Sequence, residues 1–174
     1  MRLARGPVVL EPWSEDHAEG LRAACAEDSE IWDIYPISFQ RPHFDASHAL
    51  YRSRPNWVNF VVLDQDRVVG MTNYINADPV NGVVEIGGTY IAPSVRGSGF
   101  NGTMKALMID HAFAEGYRRI EFRVDLRNTR SQRAVEKLGA VREGVLRANM
   151  ITWTGHVRDT VVFGLLKDEW REKD

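Results

Sequence analysis

The chain has 174 residues, enough for one domain with a real core. Hydrophobic residues make up 44% and charged residues 26%, as in soluble globular proteins, and the formal net charge of -2 gives no basis for nucleic acid or an anionic membrane as partner. The lone cysteine, Cys25, excludes an internal disulfide and has no companions at metal-ligand spacing.

No apolar stretch of signal-peptide type follows Arg2 and Arg5, and no run reaches membrane-span length, so the expected location is the cytoplasm. Val8-Val9-Leu10 reads as a first strand, stopped by Pro12. Ser14 can cap a helix that buries Ala18, Leu21, Ala24 and Cys25 on one face. The stretch from Ile31 to Phe44 is aromatic and broken by prolines, which suits a loop or short helix. A further helix begins at Asp45 or Ser47. Strands follow at Asn59 to Leu63, Val68 to Ile75 and Val83 to Ala92, separated by polar turns. A helix from roughly Gly102 to Glu115 carries Met104, Leu107, Met108 and Ala112 on one face and closes at Gly116. Ile120 to Leu126 alternates as a strand. Asn128 can cap a short helix that ends at Gly139. Leu146 to Trp153 and His156 to Leu166 read as a final antiparallel pair. No repeat or linker interrupts this order, which predicts one α+β sheet domain over residues 1–174.

Between the Val83–Ala92 strand and the next helix lies Arg96-Gly97-Ser98-Gly99-Phe100-Asn101-Gly102. A helix start presents N–H groups without internal acceptors and a partial positive charge, and glycines let an anion approach the backbone. Arg96 can add a charge-assisted contact. Three glycines and an arginine exceed what a plain turn needs, so this loop is read as a phosphate site. Gly97, Gly99 and Gly102 also fit the dinucleotide fingerprint. However, Glu85, Thr89 and Tyr90 break the apolar run that a buried parallel strand shows.

The segment Arg96 to Asn101 resembles the pyrophosphate loop of the GNAT superfamily of N-acetyltransferases, Arg/Gln-x-x-Gly-x-Gly/Ala, with Asn101 departing at the last position. Asn128 to Ala140 resembles that family's Asn-x-x-Ser…Glu-Lys-Leu-Gly signature, and Glu85-Ile86-Gly87 its preceding strand. Arg142-Glu143-Gly144 and Val157-Arg158-Asp159 resemble the branch of ribosomal-protein N-terminal acetyltransferases. The resemblance implies a mixed, mostly antiparallel sheet flanked by helices, whose two central parallel strands splay apart. Acetyl-CoA is the implied cosubstrate, lying in the gap with its pantetheine on the strand edge at Tyr90, Ile91 and Ala92 and its pyrophosphate on Arg96, Gly97, Ser98, Gly99, Phe100 and Asn101.

The resemblance further implies an oxyanion donor in the backbone N–H near Ile91, a pantetheine contact at Asn128 and a proton donor to the thiolate at Ser131. Glu85 is the candidate general base; as a bare carboxylate on a sheet it reads equally as a salt-bridge partner. Asn128 and Ser131 read equally as a helix cap and a first-turn hydroxyl. Arg133 is positioned to reach the coenzyme phosphates or to lie on a solvated helix face. Trp32, Tyr35, Trp57, Asn59, Tyr74 and Trp153 are candidate walls for an amine acceptor. The five histidines have no paired metal spacing, so no metal is expected. The expected activity is acetyl transfer to a peptide N-terminus or small amine. A non-catalytic acyl-CoA sensor and, more distantly, a nicotinamide-dinucleotide enzyme are the alternatives. Relatives of this kind form homodimers in many cases.

Overall fold

In the computed structural model, which describes residues 1–170, one eight-stranded sheet runs through the molecule. Its strands are β1 (Leu3–Arg5), β2 (Val8–Pro12), β3 (Val58–Asp64), β4 (Arg67–Asp78), β5 (Val83–Ile91), β6 (Arg119–Asp125), β7 (Val141–Ile151) and β8 (Val157–Leu166). Their spatial order is β1-β2-β3-β4-β5-β6-β8-β7. Every neighbouring pair is antiparallel except β5 with β6. The helices are α1 (Ala18–Ala26), α2 (Phe44–Arg52), α3 (Phe100–Ala114) and α4 (Thr129–Lys137). The expected α+β class with a mixed, mostly antiparallel sheet is the observed one.

The parallel pair holds for only three residues, Val83 to Glu85 against Arg119 to Glu121. Beyond Glu85 the two strands part. The cause lies on β5: Asn73 and Met71 of β4 are two residues apart, whereas their partners Gly87 and Tyr90 are three apart, so β5 carries a bulge. Gly88 sits in it at φ +56, and a Cβ there would meet the Asn73 amide nitrogen at 2.6 Å. The Asn73 side chain donates to the carbonyls of Gly87 (3.2 Å) and Gly88 (3.3 Å), fixing the bulge.

The bulge also reverses which residues face which side. Glu85 shares its face with Ile75, and Tyr90 with Met71, toward α1 and α2. Thr89 faces α3. Tyr90 donates its hydroxyl to the Ala24 carbonyl of α1 (2.6 Å) and stacks on Trp32. Cys25 is fully buried in α1, as its helical spacing predicts, and burial raises its thiol pKa far above the usual range.

Several boundaries differ from the sequence reading. β1 is too short to show a pattern. Pro12 ends β2 from inside, which an end position tolerates. α3 starts at Phe100 because Gly99, at φ +82, turns the chain directly into the helix. β7 begins at Val141, five residues ahead of the Leu146 expectation. It is an edge strand exposed along nearly its whole length, so burial imposes no alternation on it.

Candidate active site

The gap between β5 and β6 is bounded below by Glu85 and above by the loop leading into α3. Ala92 donates its N–H to the Val69 carbonyl of β4 (2.7 Å), so the N–H and C=O of Ile91 point the other way, into the gap. The same alternation turns Thr89 into it. Two carbonyls on this edge already have partners: the Tyr35 hydroxyl donates to Thr89, and Arg96 Nε donates to Ile91 (2.8 Å).

Arg96 therefore departs from the expected phosphate contact. Its Nη1 also pairs with Asp28 at 2.6 Å, and both side chains are mostly buried. The guanidinium braces the loop from beneath, and it holds the Asp28 carboxyl below the usual range despite partial burial. The open side of the loop is backbone. Gly97 (φ +79) and Gly99 (φ +82) adopt left-handed conformations, and a Cβ on either would project into open space. The Thr103 N–H closes onto the Gly99 carbonyl (3.0 Å), leaving the N–H groups of Phe100, Asn101 and Gly102 without intrahelical acceptors. Ser98 donates its hydroxyl to the Val95 carbonyl (3.0 Å), while the Phe100 ring is buried beneath the loop. This cradle fits a pyrophosphate.

At the base of the gap, Glu85 is 14% exposed, and its nearest cation is Arg123, with Nε 3.7 Å away. Burial raises its pKa to about 7, against the opposing pull of Arg123. Its carboxylate lies over Gly87, where a Cβ would approach it to 2.9 Å. Across the gap, Asn128 Oδ1 accepts the Ser131 N–H (3.0 Å) and caps α4. Among the described residues no acceptor engages the Asn128 amide N–H2 or the Ser131 hydroxyl. Arg133 is exposed on α4.

The aromatic residues divide. Trp32 is fully buried, its indole N–H bonded to the Cys25 carbonyl (3.1 Å), so it is core and no acceptor wall. Tyr74 donates to the Met108 carbonyl (2.6 Å) on the α3 side, the opposite face from Glu85, so it too is no wall. Tyr90 lies between Thr89 and Ile91, so its backbone groups turn to β4 and its ring is core; contrary to expectation it does not face the gap. Tyr35, by contrast, caps the gap edge. Trp57 packs edge-on against Tyr51, and Asn59 donates to Asn73 (2.7 Å), which supports the bulge. Trp153 is 40% exposed and donates to the Trp32 carbonyl (2.8 Å).

Lys105 escaped the sequence reading. It sits on the buried face of α3, 8% exposed, and donates from Nζ to Thr89 Oγ1 (2.7 Å) directly behind the gap. Thr89 Oγ1 also meets Thr72 Oγ1 (2.8 Å). Burial depresses the ammonium to about 7. Its spacing of three and four residues from Met108 and Ile109 was the available signal, a cation at a core position. In the unfolded chain the ammonium titrates near 10.5, so the penalty of burying it is fully present below pH 7 and shrinks as pH rises from 7 toward 10.5. We predict that Lys105→Met raises the Tm by several degrees at pH 7 and by less at pH 9.5, as measured by calorimetry.

A splayed mixed sheet opening onto a glycine-rich helix start is the architecture of acyl-CoA-dependent acetyltransferases. Residues 8–141 match the Acetyltransferase (GNAT) domain family, and the chain belongs to that family. An uncharacterized N-acetyltransferase, p20, of Bacillus licheniformis is 31% identical over 116 residues, covering 66% of this chain and 64% of that protein. The chain thus spans just under two-thirds of this relative's length. A crystal structure of a putative acetyltransferase from T. thermophilus is 36% identical, with a TM-score of 0.86 over 97% of this chain and 90% of that one. Mycobacterium smegmatis RimJ in complex with CoA-disulfide shares the fold at 21% identity, with a TM-score of 0.82 over 99% of this chain and 89% of that one.

Proposed function

We propose that the chain transfers the acetyl group of acetyl-CoA to a primary α-amine, at a peptide or protein N-terminus or on a small molecule. The observation that carries this reading is Glu85, a carboxyl with a pKa near 7 at the point where the sheet opens. An α-ammonium titrates at about 7.7–8.0 and a lysine ammonium at about 10.4, so a base of this strength suits the α-amine.

In this reading the N–H groups of the loop and of the first turn of α3 bind the pyrophosphate. When bound, acetyl-CoA supplies the acyl group as a thioester. The Ile91 N–H faces the carbonyl oxygen that gains negative charge, Glu85 takes the amine proton, and Asn128 donates its amide to the pantetheine arm. Ser131 passes its proton to the departing sulfur as the C–S bond breaks and regains one from solvent, to which Glu85 releases the proton taken from the amine. The likeness of Arg142-Glu143-Gly144 and Val157-Arg158-Asp159 to the ribosomal-protein branch supports a peptide N-terminus as one such acceptor.

Release of free thiol from acetyl-CoA over a panel of α-amines, peptides and lysine analogues tests the proposal. CoA binding without thiol release from any amine makes the chain a sensor module. Stabilisation by NADH with none by CoA overturns both readings. Because the Ser131 N–H makes the cap and its hydroxyl does not, Ser131→Ala should leave the Tm within about 1 °C. Turnover should fall about tenfold, a modest factor because a thiolate leaves readily near its own pKa. A large Tm loss with unchanged turnover would assign Ser131 to structure alone.

A further inference from the structure

Arg158 lies on β8, 5% exposed, and no carboxylate lies within ion-pair distance of it among the described residues. The neighbouring acids are committed elsewhere. Glu121 pairs with Arg119 (3.0 Å) and Arg123 (3.3 Å), Asp125 with Arg127 (2.8 Å), and Glu85 has Arg123 at 3.7 Å. Asp159 spends its carboxylate on the Ala148 N–H (2.7 Å). A buried guanidinium without a counter-ion is a costly arrangement, and burial pushes its pKa below the usual arginine value.

The direction of the side chain is fixed. Nε donates to Thr160 Oγ1 (3.0 Å), which itself donates to Asn149 Oδ1 of β7 (2.6 Å). Nη2 reaches the Arg123 carbonyl of β6 at 3.5 Å. Leu126 donates its N–H to Asp159 on β8 (3.0 Å), so the alternate residues Asp125 and Arg123 turn their backbone groups away from β8, into the gap. Arg158 therefore stretches from β8 across β6 to the free edge of the gap. It does so on the Glu85 face, since Thr160 is paired with Asp125 and Glu121 with Glu85. Nη1 has no acceptor among the described residues. Arg158 and Glu85 are close enough for each to bias the other's protonation.

We infer that Arg158 binds a carboxylate carried by the acceptor, so that the preferred substrate is an α-amine bearing an acidic group: its own α-carboxylate, or the acidic side chain of a first residue. The inference rests on the acetyl-transfer reading of the gap. The acceptor completes the missing ion pair with the guanidinium fork while its amine lies toward Glu85. Arg158 thereby acts as a specificity residue, and its contribution resides in the acceptor KM.

Initial rates of thiol release with matched acceptors test this. L-alanine is compared with L-alaninamide, and a peptide amide starting with glutamate with one starting with glutamine. At least one acidic member should exceed its neutral partner tenfold or more in kcat/KM, with the difference in KM. Which pair discriminates tells an α-carboxylate from a side-chain one. In Arg158→Gln that ratio should fall to near one, and Arg158→Lys should restore it in part. Acetate should inhibit the unaltered protein competitively against the acceptor, a result that stands even where a variant fails to fold. Equal kcat/KM within both pairs, or a ratio unchanged in Arg158→Gln, overturns the inference while leaving acetyl transfer intact. Absence of thiol release from every amine instead overturns the transfer reading itself.

Discussion

Glu85→Gln should lower kcat/KM for an α-amine acceptor by about 10³-fold while leaving the affinity for CoA within a factor of two. Glutamine keeps the size of the side chain over Gly87 and removes its capacity to take a proton. The pH profile provides the sharper measurement. Glu85 must be ionised to act as base, and its pKa is raised to about 7, so kcat/KM for the unaltered protein should fall as pH drops through 7. Acceptors of lower amine pKa separate this limb from the amine's own titration, because the Glu85 limb stays in place while the amine limb moves. In Glu85→Gln the limb near 7 should vanish. Stability should move the opposite way. The folded-state pKa lies above the ordinary 4.5, so the carboxyl costs stability progressively as pH rises from about 4.5 to 7, and fully above that. The glutamine variant should gain several degrees of Tm at pH 8 and little at pH 5. A retained limb near 7, with kcat/KM near that of the unaltered protein, would remove Glu85 from proton transfer.

Gly99→Val should weaken CoA binding by about a hundredfold, measured by calorimetric titration. Gly99 sits at φ +82 as the residue entering α3, a conformation that a β-branched side chain resists at a cost of about 1–2 kcal/mol. Apart from its chain neighbours no protein atom lies within 4 Å of its would-be Cβ, so the added methyls enter the open side of the loop, where the proposed pyrophosphate would meet the α3 N–H groups. Gly99→Ala separates the two causes. It carries the backbone strain with a smaller obstruction, and should lose a similar amount of Tm but much less CoA affinity. Unchanged CoA affinity in Gly99→Val would place the pyrophosphate elsewhere.

The elements most legible in the sequence were those set by local rules. Gly97, Gly99, Gly116 and Gly139 mark places where φ turns positive, and Asn128 is a helix cap that operates as read. What stayed hidden depends on pairing across the sheet. The bulge at Gly88 exists because Asn73, on another strand, holds two of its carbonyls, and no local pattern at Glu85-Ile86-Gly87-Gly88 announces that. In sequence Trp32 and Tyr74 look like walls, since aromatic residues carry no label for which sheet face they will take. Arg96 looks like a phosphate ligand because nothing near it in sequence points to Asp28, 68 residues away. Arg158 looks like an ordinary surface cation until burial is known, whereas Lys105 betrays itself only by its helical spacing from Met108 and Ile109.

The free edge of β5 in the middle of the sheet carries a hazard, for an unpaired strand edge is a template that another chain can adopt. The bonds from Tyr35 to Thr89 and from Arg96 to Ile91 alter its character. With those carbonyls engaged, the edge presents chiefly donors. An invading strand needs donors and acceptors in alternation and finds half its ladder missing. A linear arm whose amide carbonyls accept bonds along one side loses nothing. The same two side chains thus disfavour an added strand, while the N–H groups stay open to the coenzyme arm proposed to lie there.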